Sequence, residues 1–451
     1  MNTTATNQIL IEHTIAVCPR CNCCHPAEIV REGERVVARV DCPEGVAETV
    51  LSNDADLFLA FRAKSEECLP KPAPRGVVAR ALLNYISVTN ACDMRCAVCF
   101  AGAETDASRA VFLPLDEIAR RAEMAWEAGG RILYLIGGEP TTHPDLFAIT
   151  ELLARRGFRL NMVTNGVRLG RERGLARELK KRGLARILIS IDSLDSATLA
   201  KFGRCGLEEK KAAIANAVEA GFNVALNCVV ADFNIGEIGD MIAFAAGLGV
   251  RVHNIQFNSA APSPAGRISD ALADSPDRER IVRAILAEGA RYGFAEEDVW
   301  PMPFYAPWGV RPHADCGVGV LLLRTPRGFV PLARLVDMPA LYARLARCRM
   351  RTSFWSVWIA PFLFALGALR RGSKWRALRL LAGFVFDRKR HSFLNITVSN
   401  FKIASFLDTK RLEGCGTRFI TSRGPVKGCL HFFMGPDYPG SKASEDAAGF
   451  C

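Results

Sequence analysis

A chain of 451 residues, 49% of them hydrophobic, has material for two or three domains and an ample core. Its net charge of +11 suggests polyanion binding at first sight, but twelve Lys and Arg between Arg344 and Arg390 stand against one acid, Asp387. That segment holds the whole excess, so the rest is neutral and nucleic acid is not expected as a partner. The start, MNTTATNQILIEH, lacks the basic opening and apolar run of a secretory signal, and a cytoplasmic protein is expected. Sixteen cysteines then suit metal ligands and core positions better than disulfides.

Residues 1–75 read as a cysteine-rich module: CPRCNCCHPAEIV, a turn at EGER, the alternating run RVVARVDC, then CPEG. Cys18 and Cys21 form a metal knuckle, and Cys42 supplies its second half. KPAPRG (71–76) is the expected linker. Over 76–299 a rhythm sets in, with short apolar runs at 81–88, 131–136, 158–164, 185–191, 222–230 and 251–257. Helical stretches separate them. The first has Leu115, Ile118, Ala119, Ala122 and Trp126 on one stripe opened by Pro114. Such alternation predicts an α/β fold, a partial (βα)6 barrel with the chemistry at the carboxyl ends of its strands. Four polar or glycine-rich punctuations fall on that rim: NACDMRCAVCF (90–100), GGEP (137–140), TNG (164–166) and SIDS (190–193). The C-terminal region, 300–451, loses the rhythm.

Cys92, Cys96 and Cys99 are three thiols where a closed tetrahedral site needs four. They suit a [4Fe-4S] cluster with one iron left open to a ligand; a zinc loop with a distant fourth ligand is the competing reading. The C-x3-C-x2-C spacing, followed in order by GGEP, TNG and SIDS, resembles the radical S-adenosylmethionine (SAM) superfamily over roughly 84–270. The resemblance implies that Cys92, Cys96 and Cys99 hold the cluster and that SAM chelates the open iron. It implies reductive cleavage of SAM to a 5′-deoxyadenosyl radical, which abstracts hydrogen from an unactivated carbon. Gly137, Gly138, Glu139 and Pro140 would receive the SAM amino group through backbone atoms, the glycines permitting close approach. Phe100 would pack near the adenine, and Asn165, Ser190, Asp192 and Asn227 would contact the carboxylate or ribose. Asn165 is also ordinary turn chemistry and Asp192 an alternative helix cap. His143 reads as a loop or cap residue, and Cys205 and Cys228 as core.

The flanking cysteines resemble the group that contains archaeal tetraether lipid synthases and pterin-methylating enzymes, whose N-terminal module runs from C-P-x-C to C-P-E-H-G. Here that histidine is absent. Cys18, Cys21 and Cys42 carry over, while the fourth ligand of this structural iron or zinc stays open among Cys23, Cys24, His25 and Cys68. The same resemblance places Cys316, Cys415 and Cys429 at an auxiliary [4Fe-4S] cluster, with Cys348 as a further candidate and Cys451 as a bystander.

The apolar run Phe354–Leu369 reaches only ~24 Å as a helix against a ~30 Å hydrocarbon core, and Pro361 interrupts it. Beyond it, Trp375, Leu378, Leu381 and Val385 share a stripe with Lys374, Arg376 and Arg379 among them. That suits a helix lying on an anionic membrane. The expectation is therefore a radical SAM enzyme at the inner face of the membrane that remodels lipid hydrocarbon chains, with C–C coupling as its most concrete form. A flavodoxin or ferredoxin would donate electrons. The alternative is a radical SAM methyltransferase acting on a pterin or another soluble substrate. No cobalamin-binding D-x-H-x-x-G is present. A non-catalytic metal module binding nucleic acid is the rival of another class.

Overall fold

The computed structural model describes residues 8–434 and 437–438, apart from 19, 22, 69–80, 261–266, 269–274, 302–312, 314, 348–368, 371–373, 388–389 and 401–405. The expected linker, the apolar run up to residue 368, Cys348 and Cys451 lie outside the described residues.

In chain order the strands are β1 (Gln8–Val17), β2 (Cys24–Glu32), β3 (Arg35–Cys42), β4 (Gly45–Ser52), β5 (Leu83–Thr89), β6 (Val98–Cys99), β7 (Ile132–Gly137) and β8 (Arg159–Thr164). Then come β9 (Leu184–Ser190), β10 (Asn223–Val230), β11 (Val252–Ser259), β12 (Arg267–Ile268), β13 (Trp300–Pro301) and β14 (Gly317–Thr325). The last are β15 (Gly328–Pro331), β16 (Ser392–Ser399), β17 (Leu407–Asp408), β18 (Thr417–Thr421) and β19 (Gly424–Lys427).

β1 to β4 form an antiparallel meander, and its outer edge is completed by β17 from the far end of the chain. β5, β7, β8, β9, β10 and β11 run parallel in that order, each within two residues of an apolar run read from sequence. Helices cross between them. The first, Leu115–Glu127, starts after Pro114 and buries Ile118, Ala122 and Ala125. The partial barrel of six βα units is thus the observed fold. Its outer core stacks Leu133, Leu135, Leu160, Met162, Ile187, Ile189, Val224 and Leu226 against the helices.

The C-terminal region extends this same sheet on both sides. β16 continues it in parallel beside β11, with β14 antiparallel beyond, and β18 joins in parallel beside β5. Local periodicity carries no sign of such pairings, because β18 and β5 lie at opposite ends of the chain. Among the described residues no helix is long and apolar enough to cross a membrane.

Candidate active site

The cysteine loop leaves the carboxyl end of β5 and is clamped from three sides. Glu104 exchanges backbone hydrogen bonds with it, its carbonyl accepting from Cys92 N at 2.8 Å and its N–H donating to Asn90 O at 2.8 Å. Ala97 N donates to Phe202 O at 2.8 Å, and a Cβ on Gly203 would stand 2.6 Å from Arg95 O. On the third side Gly138 N donates to Thr89 O and Glu139 N to Ala91 O, each at 2.8 Å. The two glycines serve this contact. A Cβ on Gly137 would stand 2.1 Å from Thr89 O, and one on Gly138 2.3 Å from Ala91 O and 2.4 Å from Asn90 O. The close approach they permit is to the cysteine loop itself.

Glu139 is only 1% exposed, and its carboxylate accepts four hydrogen bonds: from Thr141 N (3.1 Å), Thr141 Oγ1 (2.7 Å), Thr164 Oγ1 (2.7 Å) and Asn165 N (2.7 Å). Burial pushes its pKa up, and those donors work against the push. The side chain ties the loop after β7 to the loop after β8. Pro140 opens the short 3-10 turn that follows. Asn165 Nδ2 reaches back to Asp93 Oδ1 at 2.6 Å, joining TNG to the cysteine loop.

Sequence reasoning missed two cations, the buried Lys210 and the largely buried Arg204. Lys210, on the helix Leu207–Glu219, donates to Asn165 O (2.7 Å) and Ser190 O (2.9 Å), so it caps the ends of β8 and β9 together. Arg204 pairs with the fully buried Asp192 and also hydrogen-bonds the Cys96 thiol. Burial works against the Arg204 cation, but Asp192 and Cys96 outweigh it and hold its pKa above the usual. Asp192 also accepts from Val229 N at 2.8 Å. It is therefore an ion-pair partner, while Asp195 caps the next helix. Neither cation lies in a motif; only the positive-φ glycines around them, Gly203 and Gly206, mark a tightly folded loop.

Asn227, opposite Ser190 in the sheet, accepts from Asn258 Nδ2 at 2.7 Å. Phe100 is 48% exposed at the rim. His143 is structural, its Nε2 3.0 Å from Leu113 O and its Nδ1 accepting from Asp145 N. Cys228 is core as expected, whereas Cys205 is exposed, because it sits on the turn that precedes a helix and not on its inner face.

A single tetrahedral ion holds sulfurs about 3.8 Å apart, from Zn–S bonds of about 2.3 Å. Among the described residues the one group with all ligand atoms within 4.8 Å of each other is Cys18, Cys21 and Cys42. Their thiols fit a mononuclear metal. Burial disfavours the Cys18 thiolate, yet the N–H groups of Cys21 and Arg20 and the thiols of Cys42 and Cys21 bring its pKa down. Cys92, Cys96 and Cys99 are more widely set, with Cys92 pushed up to about 12 mainly by burial. Three thiols on one loop, with no fourth ligand at single-ion spacing among the described residues, fit a cluster that places several irons between them.

A third thiol group gathers around the buried Arg411, where Cys316, Cys429, Asp315 and Cys415 hold its pKa above the usual against burial. These cysteines come from the start of β14, the end of the helix Thr409–Gly414 and the helix Gly428–Met434. The Cys429 thiol, first among several donors, brings Cys415 down to about 5.

Residues 86–245 match the model of the radical SAM superfamily. The chain carries a radical SAM domain. It is 28% identical over 366 residues to the 7,8-dihydro-6-hydroxymethylpterin dimethyltransferase of Methanocaldococcus jannaschii, covering 72% of this chain and 71% of that protein. It is 38% identical over 209 residues to the GTP 3′,8-cyclase of Pseudomonas syringae, covering 45% of this chain and 60% of the cyclase. The crystal structure of Streptococcus suis SuiB bound to precursor peptide SuiA aligns at 12% identity and a TM-score of 0.41, covering 63% of this chain and 70% of SuiB. The radical SAM domain contains the three-thiol loop and the ends of β7 to β10, and the protein is a radical SAM enzyme.

Proposed function

We propose that this enzyme opens an unactivated C–H bond and forms a new carbon bond there. The observation that carries this is the clamped loop of Cys92, Cys96 and Cys99 on the carboxyl rim of the partial barrel. With a [4Fe-4S] cluster and SAM bound, that rim would be supplied with a 5′-deoxyadenosyl radical able to take the hydrogen. The chain's own work is placement. Glu139 and Asn165 fix the loops after β7 and β8 against the cysteine loop, while Arg204 and Asp192 hold Cys96. In this reading Phe100, Gly137–Pro140, Asn165, Ser190 and Asn227 would line the SAM pocket, and Cys316, Cys415 and Cys429 would hold an auxiliary cluster.

For the substrate we propose a hydrocarbon chain of a membrane lipid. In the helix Lys374–Phe386, Trp375 is 83% and Phe386 86% exposed, and Lys374 and Arg379 are exposed with them, while Ala377 and Leu380 turn inward. An exposed aromatic beside exposed cations suits the headgroup layer of an anionic bilayer. A second reading, methyl transfer to a pterin, is favoured by the similarity to the Methanocaldococcus dimethyltransferase.

The test is isotope transfer. Reconstituted anaerobic enzyme is given SAM, dithionite and either chain-deuterated lipid in anionic vesicles or a deuterated 6-hydroxymethylpterin. Deuterium in 5′-deoxyadenosine from lipid supports the first reading. Deuterium from the pterin alone replaces it with the second, and none from either substrate overturns both.

A further inference from the structure

We propose that His25 is the fourth ligand of the N-terminal metal site, which makes it a three-cysteine, one-histidine zinc centre. This rests on the Cys18, Cys21 and Cys42 thiols lying within 4.8 Å of each other and is independent of the SAM chemistry. His25 Nε2 lies 3.2 Å from Cys21 Sγ. Tetrahedral zinc with Zn–S of about 2.3 Å and Zn–N of about 2.0–2.1 Å sets sulfur and nitrogen about 3.6 Å apart, so the pair is already at ligand-to-ligand distance.

Strand geometry decides among the alternatives. Successive residues of a strand point to opposite faces, and residues two apart share one. His25, Ala27 and Ile29 therefore share a face of β2, and Ala27 and Ile29 pack in the same core as Cys18, Cys42 and Ala16, the residue opposite His25. Cys24 has the other face, where it packs with Val17, Leu407 and Cys429. Cys23 is exposed, and its backbone serves the site by accepting from Cys18 N at 2.9 Å and donating to the Cys21 thiol. Cys68 is buried in a separate core with Trp300 and Tyr342.

The hairpin Cys42–Gly45, closed by Cys42 facing Gly45 at φ +100°, offers no histidine, so an imidazole from the first half of the module takes that place. The ring stands at the rim of the triad, and rotation about its side-chain bonds onto the ion is the movement required. A ligand set of three thiolates and an imidazole is one of the structural zinc sets, whereas a rubredoxin-type iron uses sulfur alone.

Zinc K-edge X-ray absorption on the cluster-loaded full chain tests this in the presence of iron. The expected shell is three sulfurs at about 2.3 Å and one nitrogen at about 2.0–2.1 Å. His25→Cys should convert it to four sulfurs, a rise of one third in sulfur scattering, and Cys23→Ser and Cys24→Ser should leave it unchanged. His25→Ala should weaken zinc retention against a chelator by more than about 10-fold, since loss of a supporting outer-shell partner alone costs that much. A four-sulfur shell in the wild type, iron in place of zinc, or a nitrogen that survives His25→Cys overturns the proposal.

Discussion

Gly138→Ala isolates the contact that places the cysteine loop. The new Cβ would stand 2.3 Å from Ala91 O and 2.4 Å from Asn90 O, where ordinary C···O contact needs about 3.3 Å. Both obstacles are backbone, so no side chain can swing away, and the two loops must part by about 1 Å. A misplacement of that size in a positioned reacting group costs on the order of 100-fold in rate, or about 2.7 kcal/mol of barrier. Thiol number is unchanged, so iron loading should match the wild type. The assay is 5′-deoxyadenosine formation under dithionite at saturating SAM, with iron per chain counted in parallel. Gly247→Ala, whose Cβ meets nothing within 4 Å, is the control and should keep the wild-type rate. A fully loaded Gly138→Ala protein at wild-type rate would refute the idea that this glycine contact positions the cluster loop.

Arg204→Met leaves Asp192 buried without its cation, which should cost about 3–5 kcal/mol in anaerobic denaturant unfolding, and Arg204→Met with Asp192→Asn should recover much of that. Strictly additive losses would contradict the buried pair. Glu12, on β1, bonds Arg62 and Lys410; burial raises its pKa, but those two cations lower it on balance. A lowered carboxylate stabilises the fold above its unfolded pKa, near 4.3, and loses that contribution as pH falls through the folded value. Glu12→Gln should therefore lower stability at pH 7 by roughly 1 kcal/mol, Glu12 being partly solvent-screened, and the gap should shrink as Glu12 protonates in acid; a gap undiminished in strong acid contradicts the pairing. Trp375→Ser should reduce sedimentation with anionic vesicles while leaving thermal stability within about 0.5 kcal/mol; unchanged sedimentation would remove the membrane-facing role of that helix.

The barrel was legible because no residue of its parallel strands is exposed, so each reads as a short apolar run. The rim motifs were legible because glycine and cysteine spacing is local. Glu139 was found from GGEP, but its role was not: four donors converge on its carboxylate from two separate loops, and no spacing encodes that. Arg204 and Lys210 sit in GRCGLEEKK, which reads as a solvated helix start, yet Lys210 is buried by the carbonyls at the ends of β8 and β9. The N-terminal site was half legible. CPRC and DCPEG gave three thiols, while choosing His25 over Cys24 needed the face that each takes on β2. Gathering Cys316, Cys415 and Cys429 around Arg411 likewise depends on the tertiary packing of three separated segments.

The most direct test of the central claim compares the reconstituted wild type with Cys96→Ala, anaerobically, for 5′-deoxyadenosine and methionine released from SAM under dithionite. The account predicts that the wild type forms both in equal amounts and that the variant forms neither, while the Cys18–Cys21–Cys42 metal stays bound. Equal turnover by the variant, or none by a fully loaded and reducible wild type, would contradict it.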